Sequence, residues 1–132
     1  MVNFLDLFTP KNFRFKVDEE ALTQITCVNF LKNLTLSHNL KGIWFSIPNE
    51  YAGSNKPVFG MKLQALGKIK GAPDLVILTT NKPFLFEFKS KKGRQSVSQK
   101  AFQEWCQLND ISYNVIRGFE DFLKVLKENS LC

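Results

Sequence analysis

Two segments rich in apolar residues lie close together in the middle of the chain, at residues 74–79 and 84–90, and they constrain the fold more than any other feature. β-Branched and aromatic residues dominate both segments, and Asn81, Lys82 and Pro83 between them are typical of a turn. This pattern predicts two β-strands joined by a short turn. We therefore expect a β-hairpin in this part of the chain.

Helices and strands alternate through the rest of the chain. From residue 19 to residue 34 apolar side chains recur at helical spacing, and Asp18 is suited to cap the N-terminus of that helix. The remaining pattern predicts strands at 43–47 and 112–117, a short helix through 61–66 that stops at Gly67, and helices at 98–108 and 119–127. The order α-β-α-β-β-α-β-α predicts an α/β fold with a mixed four-stranded sheet flanked by helices.

The length of the chain sets the expected domain organisation. Its 132 residues match the common size of one domain, so we expect a single domain over 1–132 with an N-terminal extension at 1–18. The aromatic residues of that extension either cover the core or meet a partner subunit. The helix at 98–108 is expected to bury Phe102 and Trp105, and Trp44 is also expected in the core.

The composition excludes several classes of protein. No apolar run approaches the roughly 18 to 20 residues that span a bilayer, and residues 1–10 lack the basic start of a signal peptide. Cys27, Cys106 and Cys132 form no Cys-x-x-Cys pair, so we expect an intracellular protein, such as one in the cytoplasm of a bacterial or phage-infected cell. Because His38 is the only histidine, a bound metal ion would need oxygen ligands, which favours magnesium, manganese or calcium.

The positive charge of the chain is concentrated in its middle. The net charge is +6, but residues 51–103 hold ten basic residues against two acids, Asp74 and Glu87, which leaves +8 there and −2 elsewhere. A basic segment is typical of a nucleic-acid-binding surface, and on charge alone a solvated lysine-rich face is an equally good interpretation. The two isolated carboxylates within the segment need an explanation of their own.

The alternation of side chains along the second strand places these acids. Glu87 and Lys89 project from one face of the strand, whereas the phenylalanines at 84, 86 and 88 project from the other. If the hairpin loop has an even number of residues, Asp74 falls opposite Lys89 and diagonal to Glu87 on the same face. An odd number would place Asp74 on the opposite face.

Two carboxylates on one face of a hairpin can share a divalent cation. Each would give one oxygen, and water and phosphate oxygens would fill the remaining positions. Such a cation activates a phosphoryl group, and Lys89 could orient a water molecule or offset developing charge, which is the equipment for phosphodiester hydrolysis. The alternative is structural: Glu87 and Lys89 form an exposed ion pair, and Asp74 after a proline forms a turn.

The motif residues resemble those of a known family of nucleases. Gly71-Ala72-Pro73-Asp74-Leu75 and Phe86-Glu87-Phe88-Lys89 are similar to the core motif of the PD-(D/E)XK nuclease superfamily and, more narrowly, of the VRR-NUC (virus-type replication-repair nuclease) domain. The resemblance covers about residues 19–128. Further matching motifs are Glu20-x-x-x-Gln24, Ile47-Pro48-Asn49, Leu66-Gly67, Gly93-Arg94, Ser98-Gln99-Lys100 and Arg117-Gly118.

The resemblance implies a restriction-endonuclease-like core and a role for each motif residue. Asp74, Glu87 and the Phe88 carbonyl correspond to ligands of Mg²⁺ or Mn²⁺, and Lys89 corresponds to the catalytic lysine. Glu20 corresponds to the helix acid that reaches the metal, although Glu19 next to it leaves the register open. Gln99 corresponds to a glutamine beside the site, and its alternative is a solvated helix-capping role.

The basic residues near the two strands are candidates for phosphate contact, which positions DNA without reading its sequence. These candidates are Lys68, Lys70, Lys91, Lys92 and Arg94. Asn49 either touches the scissile strand or shapes a turn.

The resemblance implies a structure-selective endodeoxyribonuclease, expected to resolve four-way (Holliday) DNA junctions as a homodimer, because symmetric cutting needs two sites and each chain offers one. The alternatives are a flap or nicking nuclease of the same family, a DNA-binding module without turnover, and action on RNA.

Overall fold

The computed structural model describes residues 3–8, 16–48 and 57–132. The chain begins with a short 3-10 helix, Phe4–Phe8, which precedes the first α-helix. The helices and strands that follow are α1 (Glu19–Leu36), β1 (Ile43–Ser46), α2 (Pro57–Ala65), β2 (Leu75–Leu78), β3 (Pro83–Phe88), α3 (Val97–Leu108), β4 (Ser112–Ile116) and α4 (Phe119–Glu128). Their order confirms the predicted α-β-α-β-β-α-β-α sequence.

The four strands form one mixed sheet in the order β1-β2-β3-β4. β1 pairs with β2 and β2 pairs with β3 in antiparallel fashion, whereas β3 and β4 are parallel, with α3 as the crossover between them. The predicted α/β class and mixed four-stranded sheet flanked by helices are therefore confirmed. The antiparallel pairing brings the start of β2 next to the end of β3, and the two isolated acids, Asp74 and Glu87, lie there.

The predicted register of the hairpin is wrong by two residues, although its parity is right. Leu75 pairs with Phe86, so Asp74 comes beside Glu87 rather than opposite Lys89. The reason lies in the four-residue connection 79–82. The Thr79 hydroxyl donates to the Lys82 carbonyl at 2.8 Å and accepts from the Lys82 N–H at 3.1 Å. Because of these bonds Thr79 belongs to the turn, so that β2 ends at Leu78 and β3 begins at Pro83.

The core lies on the face of the sheet that carries the phenylalanines of β3. Phe84, Phe86 and Phe88 are all buried, as the alternation predicts. The ring of Phe86 packs edge to face against Phe122 of α4, with centroids 5.0 Å apart. Buried residues from β2, α1, β4 and α4 complete this cluster: Leu75, Ile77, Cys27, Leu31, Ile116 and Leu126. Because this face is fully occupied, Asp74 and Glu87 project toward the other face.

The first α-helix begins as predicted and carries the N-terminal segment on its surface. The Asp18 side chain accepts a hydrogen bond from the Ala21 N–H at 2.8 Å, as an N-cap residue does. Trp44 is half-buried against the core, and its indole N–H donates to the Thr35 hydroxyl. The ring of Phe8 lies 5.2 Å from that of Trp44. The described part of the extension therefore covers Trp44.

The expected burial of Trp105 is wrong. Its side chain is 69% exposed, whereas Cys106 next to it is buried. α3 turns Gln99, Phe102 and Cys106 toward the sheet, and at about 100° per residue Trp105 falls on the outer side of the helix. No helix in the described part of the chain is both long and apolar enough to cross a bilayer.

Candidate active site

A cleft of about 510 Å³ opens on the face of the sheet opposite the phenylalanine core. Its walls come from the first turns of α1, the end of β1, the segment before β2, the end of β3 and the start of α3. The charged side chains that line it are Asp18, Glu20, Lys70, Asp74, Glu87 and Lys89. The cleft therefore brings Asp74 and Glu87, the two acids of the basic segment, together with two acids from the start of α1.

Glu87 is the most unusual residue of this cleft, because it is an acidic residue that is only 1% exposed. One carboxyl oxygen, Oε1, accepts a hydrogen bond from the Gln99 amide Nε2 at 2.6 Å. The other, Oε2, accepts a longer hydrogen bond of 3.5 Å from the Tyr113 hydroxyl. Burial, and to a lesser extent the nearby Asp74 carboxylate, raise the pKa of Glu87 from 4.5 to about 8 against the opposing effect of Lys89. Without a cation, this carboxyl holds its proton at neutral pH.

Asp74 is fixed to the end of β3 by two hydrogen bonds. Its backbone N–H donates to the Phe86 carbonyl at 2.9 Å, and its carboxylate Oδ2 accepts from the Phe88 N–H at 2.8 Å. In extended backbone the N–H and C=O of one residue are directed to the same side. The Phe88 carbonyl is therefore directed to the same side of β3 as the Asp74 carboxylate.

The two adjacent acids on α1 lie in different places. Glu20 and Gln24, four residues apart, both line the cleft, as expected from helical spacing. Glu19 is turned away from it, and its Oε1 accepts a hydrogen bond from the Lys91 N–H at 3.0 Å. Glu20 is thus the helix acid that faces the site.

The donor atoms of the cleft fit a hard divalent cation. Two carboxylates and a backbone carbonyl are oxygen ligands of the kind that Mg²⁺ and Mn²⁺ prefer. Burial and the nearby Asp74 carboxylate both disfavour the ionised form of Glu87, and a bound cation would favour it. Among residues 3–8, 16–48 and 57–132, no group of three histidine, cysteine or acidic side chains is arranged around one point. Asp74, Glu87 and the Phe88 carbonyl could hold such a cation, with water and substrate oxygens at its remaining positions.

Gln99 joins the cap of α3 to the candidate site. Its side-chain Oε1 accepts from the Ser96 N–H at 2.8 Å, while its own N–H donates to the Ser96 hydroxyl at 3.1 Å, forming a capping box. Since the amide oxygen is held by Ser96, the amide nitrogen must face Glu87. The two interpretations of Gln99, helix cap and neighbour of the site, therefore describe one geometry.

The glycine of the Gly71-x-Pro73-Asp74 motif sets how closely α3 approaches the cleft. Gly71 has a positive φ of 92°, which favours glycine. A Cβ at this position would lie 2.4 Å from the Ser98 carbonyl oxygen and 2.9 Å from the Gln99 nitrogen. The absence of a side chain at residue 71 thus lets the first turn of α3, and with it Gln99, sit against the motif.

Tyr113 is a site neighbour that the sequence analysis missed. It lies on β4 opposite Leu85 of β3, on the same face as Glu87. Burial and the nearby Glu87 raise the pKa of its hydroxyl, so it stays a neutral donor. The alternation along β4 could have indicated its face, but only the parallel register shows that this face meets Glu87.

The predicted phosphate-contact residues fall into two groups. Lys70 lines the cleft. Lys91, Lys92 and Arg94 are exposed on the loop between β3 and α3, and Lys68 precedes the motif glycine; none of these four lines the cleft. Asn49 lies outside the described residues. Comparisons with protein-family models, curated proteins and solved structures find no match to this chain.

The raised pKa of Glu87 predicts an unusual dependence of stability on pH. Between about pH 4.5 and pH 8 the unfolded chain has lost the Glu87 proton and the folded chain has kept it, so folding takes up a proton. The free energy of unfolding should therefore fall as pH rises through this window, by on the order of 4 kcal/mol from this group. Urea unfolding at pH 5 and pH 8 in a chelator, with wild type and Glu87→Gln compared, measures this contribution.

The Glu87→Gln variant keeps the shape of the side chain but cannot ionise. We expect the difference in free energy of unfolding between variant and wild type to shift in favour of the variant as the pH rises. An identical pH dependence in the two proteins would show that Glu87 ionises normally.

The close contact of Gly71 with α3 predicts that alanine destabilises the protein more at residue 71 than at residue 67. Gly67 also has a positive φ, of 106°, but a Cβ there would meet nothing within 4 Å. Gly67→Ala should lower the free energy of unfolding by about 1 kcal/mol through backbone strain alone. Gly71→Ala carries the same strain and also forces the first turn of α3 away, so its loss should be at least about twice as large. Urea unfolding of both variants measures the two losses, and equal losses would contradict the close approach.

Proposed function

We propose that this protein is a Mg²⁺- or Mn²⁺-dependent endodeoxyribonuclease with a PD-(D/E)XK core of the VRR-NUC type. The observation that carries the proposal is the buried Glu87 carboxyl beside Asp74, in one cleft with Lys89 and Gln99. A buried acid next to a second acid is unfavourable for stability. Its position inside a basic segment is explained if a cation and a phosphate group complete the site.

Each residue of the cleft has a defined task in this proposal. Asp74, Glu87 and the Phe88 carbonyl would hold the cation, which supplies Lewis-acid activation of the phosphodiester. The Lys89 ammonium lies on the same strand face as Glu87 and can stabilise the negative charge that develops on the phosphate oxygens. Gln99 holds the Glu87 carboxyl in place through a side chain that its own helix cap keeps in one orientation.

The proposed substrate is DNA, and the proposed form of it is branched. Lys68, Lys70, Lys91, Lys92 and Arg94 are the phosphate contacts in this proposal. Each chain has one cleft with this set of groups among its described residues, so paired cuts at a four-way junction require a homodimer. A flap or nicking nuclease would need only one cleft, and a synthetic junction cut at one strand alone would favour it.

A DNA-binding module without turnover is the second candidate. It is supported by the side chains of Gln99 and Tyr113, which donate hydrogen bonds to the two carboxyl oxygens of Glu87. Such donors suit a carboxyl group that is held for structural reasons. The two candidates differ in their response to a divalent cation. The module would bind a junction equally with and without Mg²⁺ and cut it under neither condition.

The Asp74→Asn variant tests the enzyme hypothesis. Supercoiled plasmid and a synthetic four-way junction should be cut by wild type with Mg²⁺, and cleavage should stop in a chelator. Removing one ligand charge should lower the cleavage rate by about 100-fold or more while junction binding is kept. Asp110→Asn is the matched control, because Asp110 lies in an exposed turn with positive φ, which asparagine tolerates. Unchanged cleavage in Asp74→Asn would contradict the proposal, and a matched RNA duplex shows whether the activity extends to RNA.

The proposed role of Lys89 predicts that its substitution lowers the cleavage rate much more than the affinity for DNA. Lys89→Met should lower the cleavage rate at saturating DNA by about 100-fold, with affinity changed by less than about threefold. Lys62→Met on α2 removes the same charge from an exposed position and should change neither. Similar losses of cleavage and affinity in Lys89→Met would make Lys89 a phosphate contact instead.

A further inference from the structure

The loop that follows β3 presents two adjacent lysines on a tight turn. The Gly93 N–H donates to the Ser90 carbonyl at 3.1 Å, which closes a β-turn with Lys91 and Lys92 at its two central positions. Both lysines are exposed. A Cβ at residue 93 would lie 2.8 Å from the Ser90 hydroxyl, so the turn is compact at its base.

The side chain of Arg117 stabilises this turn through hydrogen bonds to its backbone. It follows β4 directly and its side chain is half-buried. Its Nη1 donates to the Gly93 carbonyl at 2.6 Å and to the Ser90 carbonyl at 2.8 Å, with a longer contact of 3.4 Å to the Lys91 carbonyl. One guanidinium nitrogen therefore joins the first and last residues of the turn.

Two further contacts fix the position of the turn relative to the cleft. The Arg117 N–H donates to the Asp121 carboxylate at 3.0 Å, which anchors the arginine to the first turn of α4. The Lys91 N–H donates to Glu19 of α1, the residue next to Glu20 in the cleft. The turn is thus connected to α1 on one side and to α4 on the other.

We propose that Arg117 is a positioning residue that pre-orders the Lys91–Lys92 turn for contact with the phosphate backbone of DNA. This inference rests on the proposed function. The Nη1 group is engaged by backbone carbonyls, so Arg117 acts through the turn and not as a phosphate contact of its own. Because the turn is ordered before DNA arrives, binding does not have to cover the entropic cost of fixing its backbone.

The proposal predicts a distinctive pattern for Arg117→Met. With the carbonyls released, trypsin should cut the free protein after Lys91 or Lys92 at least about tenfold faster than wild type, since the local opening of the turn becomes easier. Affinity for a four-way junction should fall roughly tenfold. The dependence of affinity on salt concentration should keep its slope, because the same lysines still reach the phosphates. The cleavage rate at saturating junction should stay within about twofold of wild type.

Two other variants make the experiment decisive. Arg117→Lys keeps one donor group on a shorter side chain and should recover part of the trypsin resistance and part of the affinity. This variant also allows the proposal to be tested if Arg117→Met fails to fold. Lys124→Met removes the same charge from an exposed position on α4 and should match wild type in both measurements. Thermal unfolding of each variant reports whether its fold is kept.

Several outcomes would overturn the inference. A turn that stays resistant to trypsin while the salt slope drops by about one phosphate contact would make Arg117 a direct contact. An opened turn with unchanged affinity would show that its order does not matter for DNA. Loss of the saturating cleavage rate without loss of affinity would place Arg117 in the chemistry. Failure of the proposed function is distinguishable, because wild type itself would then fail to cut the junction, whether or not it binds it, and the result would not depend on residue 117.

Discussion

The site depends on one unfavourable interaction, the burial of the Glu87 carboxyl next to the carboxylate of Asp74. Burial, with a smaller effect of Asp74, raises the pKa of Glu87 to about 8, and the fold tolerates the group by providing it with side-chain donors from α3 and β4. The sequence could have avoided the cost with an apolar residue, which suits a buried strand better. A buried acid that is kept in spite of its cost points to a role in binding or catalysis.

The surrounding elements serve to hold that pair in place. The phenylalanines of β3 occupy the core and thereby turn Glu87 to the opposite face, where Asp74 is tied to the Phe88 N–H. Gly71 allows α3 to begin close to the pair, and the capping box of α3 aims Gln99 at Glu87. The same short segments thus define the secondary structure and the geometry of the cleft.

Much of this arrangement follows from the sequence, and the rest depends on contacts that no local pattern shows. Apolar periodicity and turn residues located all four strands and the four α-helices, and strand alternation placed Glu87 on the face away from the core. The register of the hairpin could not be predicted, because it depends on hydrogen bonds of the Thr79 side chain within the turn. Tyr113 was missed because its approach to Glu87 is set by the parallel pairing of β3 and β4. The hydrophobicity of Trp105 predicts burial, but its angle on α3 places it on the outer side of the helix.

The most direct test of the account is a crystal structure of the protein soaked in Mn²⁺, with data collected to locate the ion by its anomalous scattering. We expect one strong peak in the cleft at coordination distance from the carboxylates of Asp74 and Glu87, with the Phe88 carbonyl as a further ligand. Side chains of Asp74 and Glu87 that point apart, with no ion between them at saturating Mn²⁺, would contradict it.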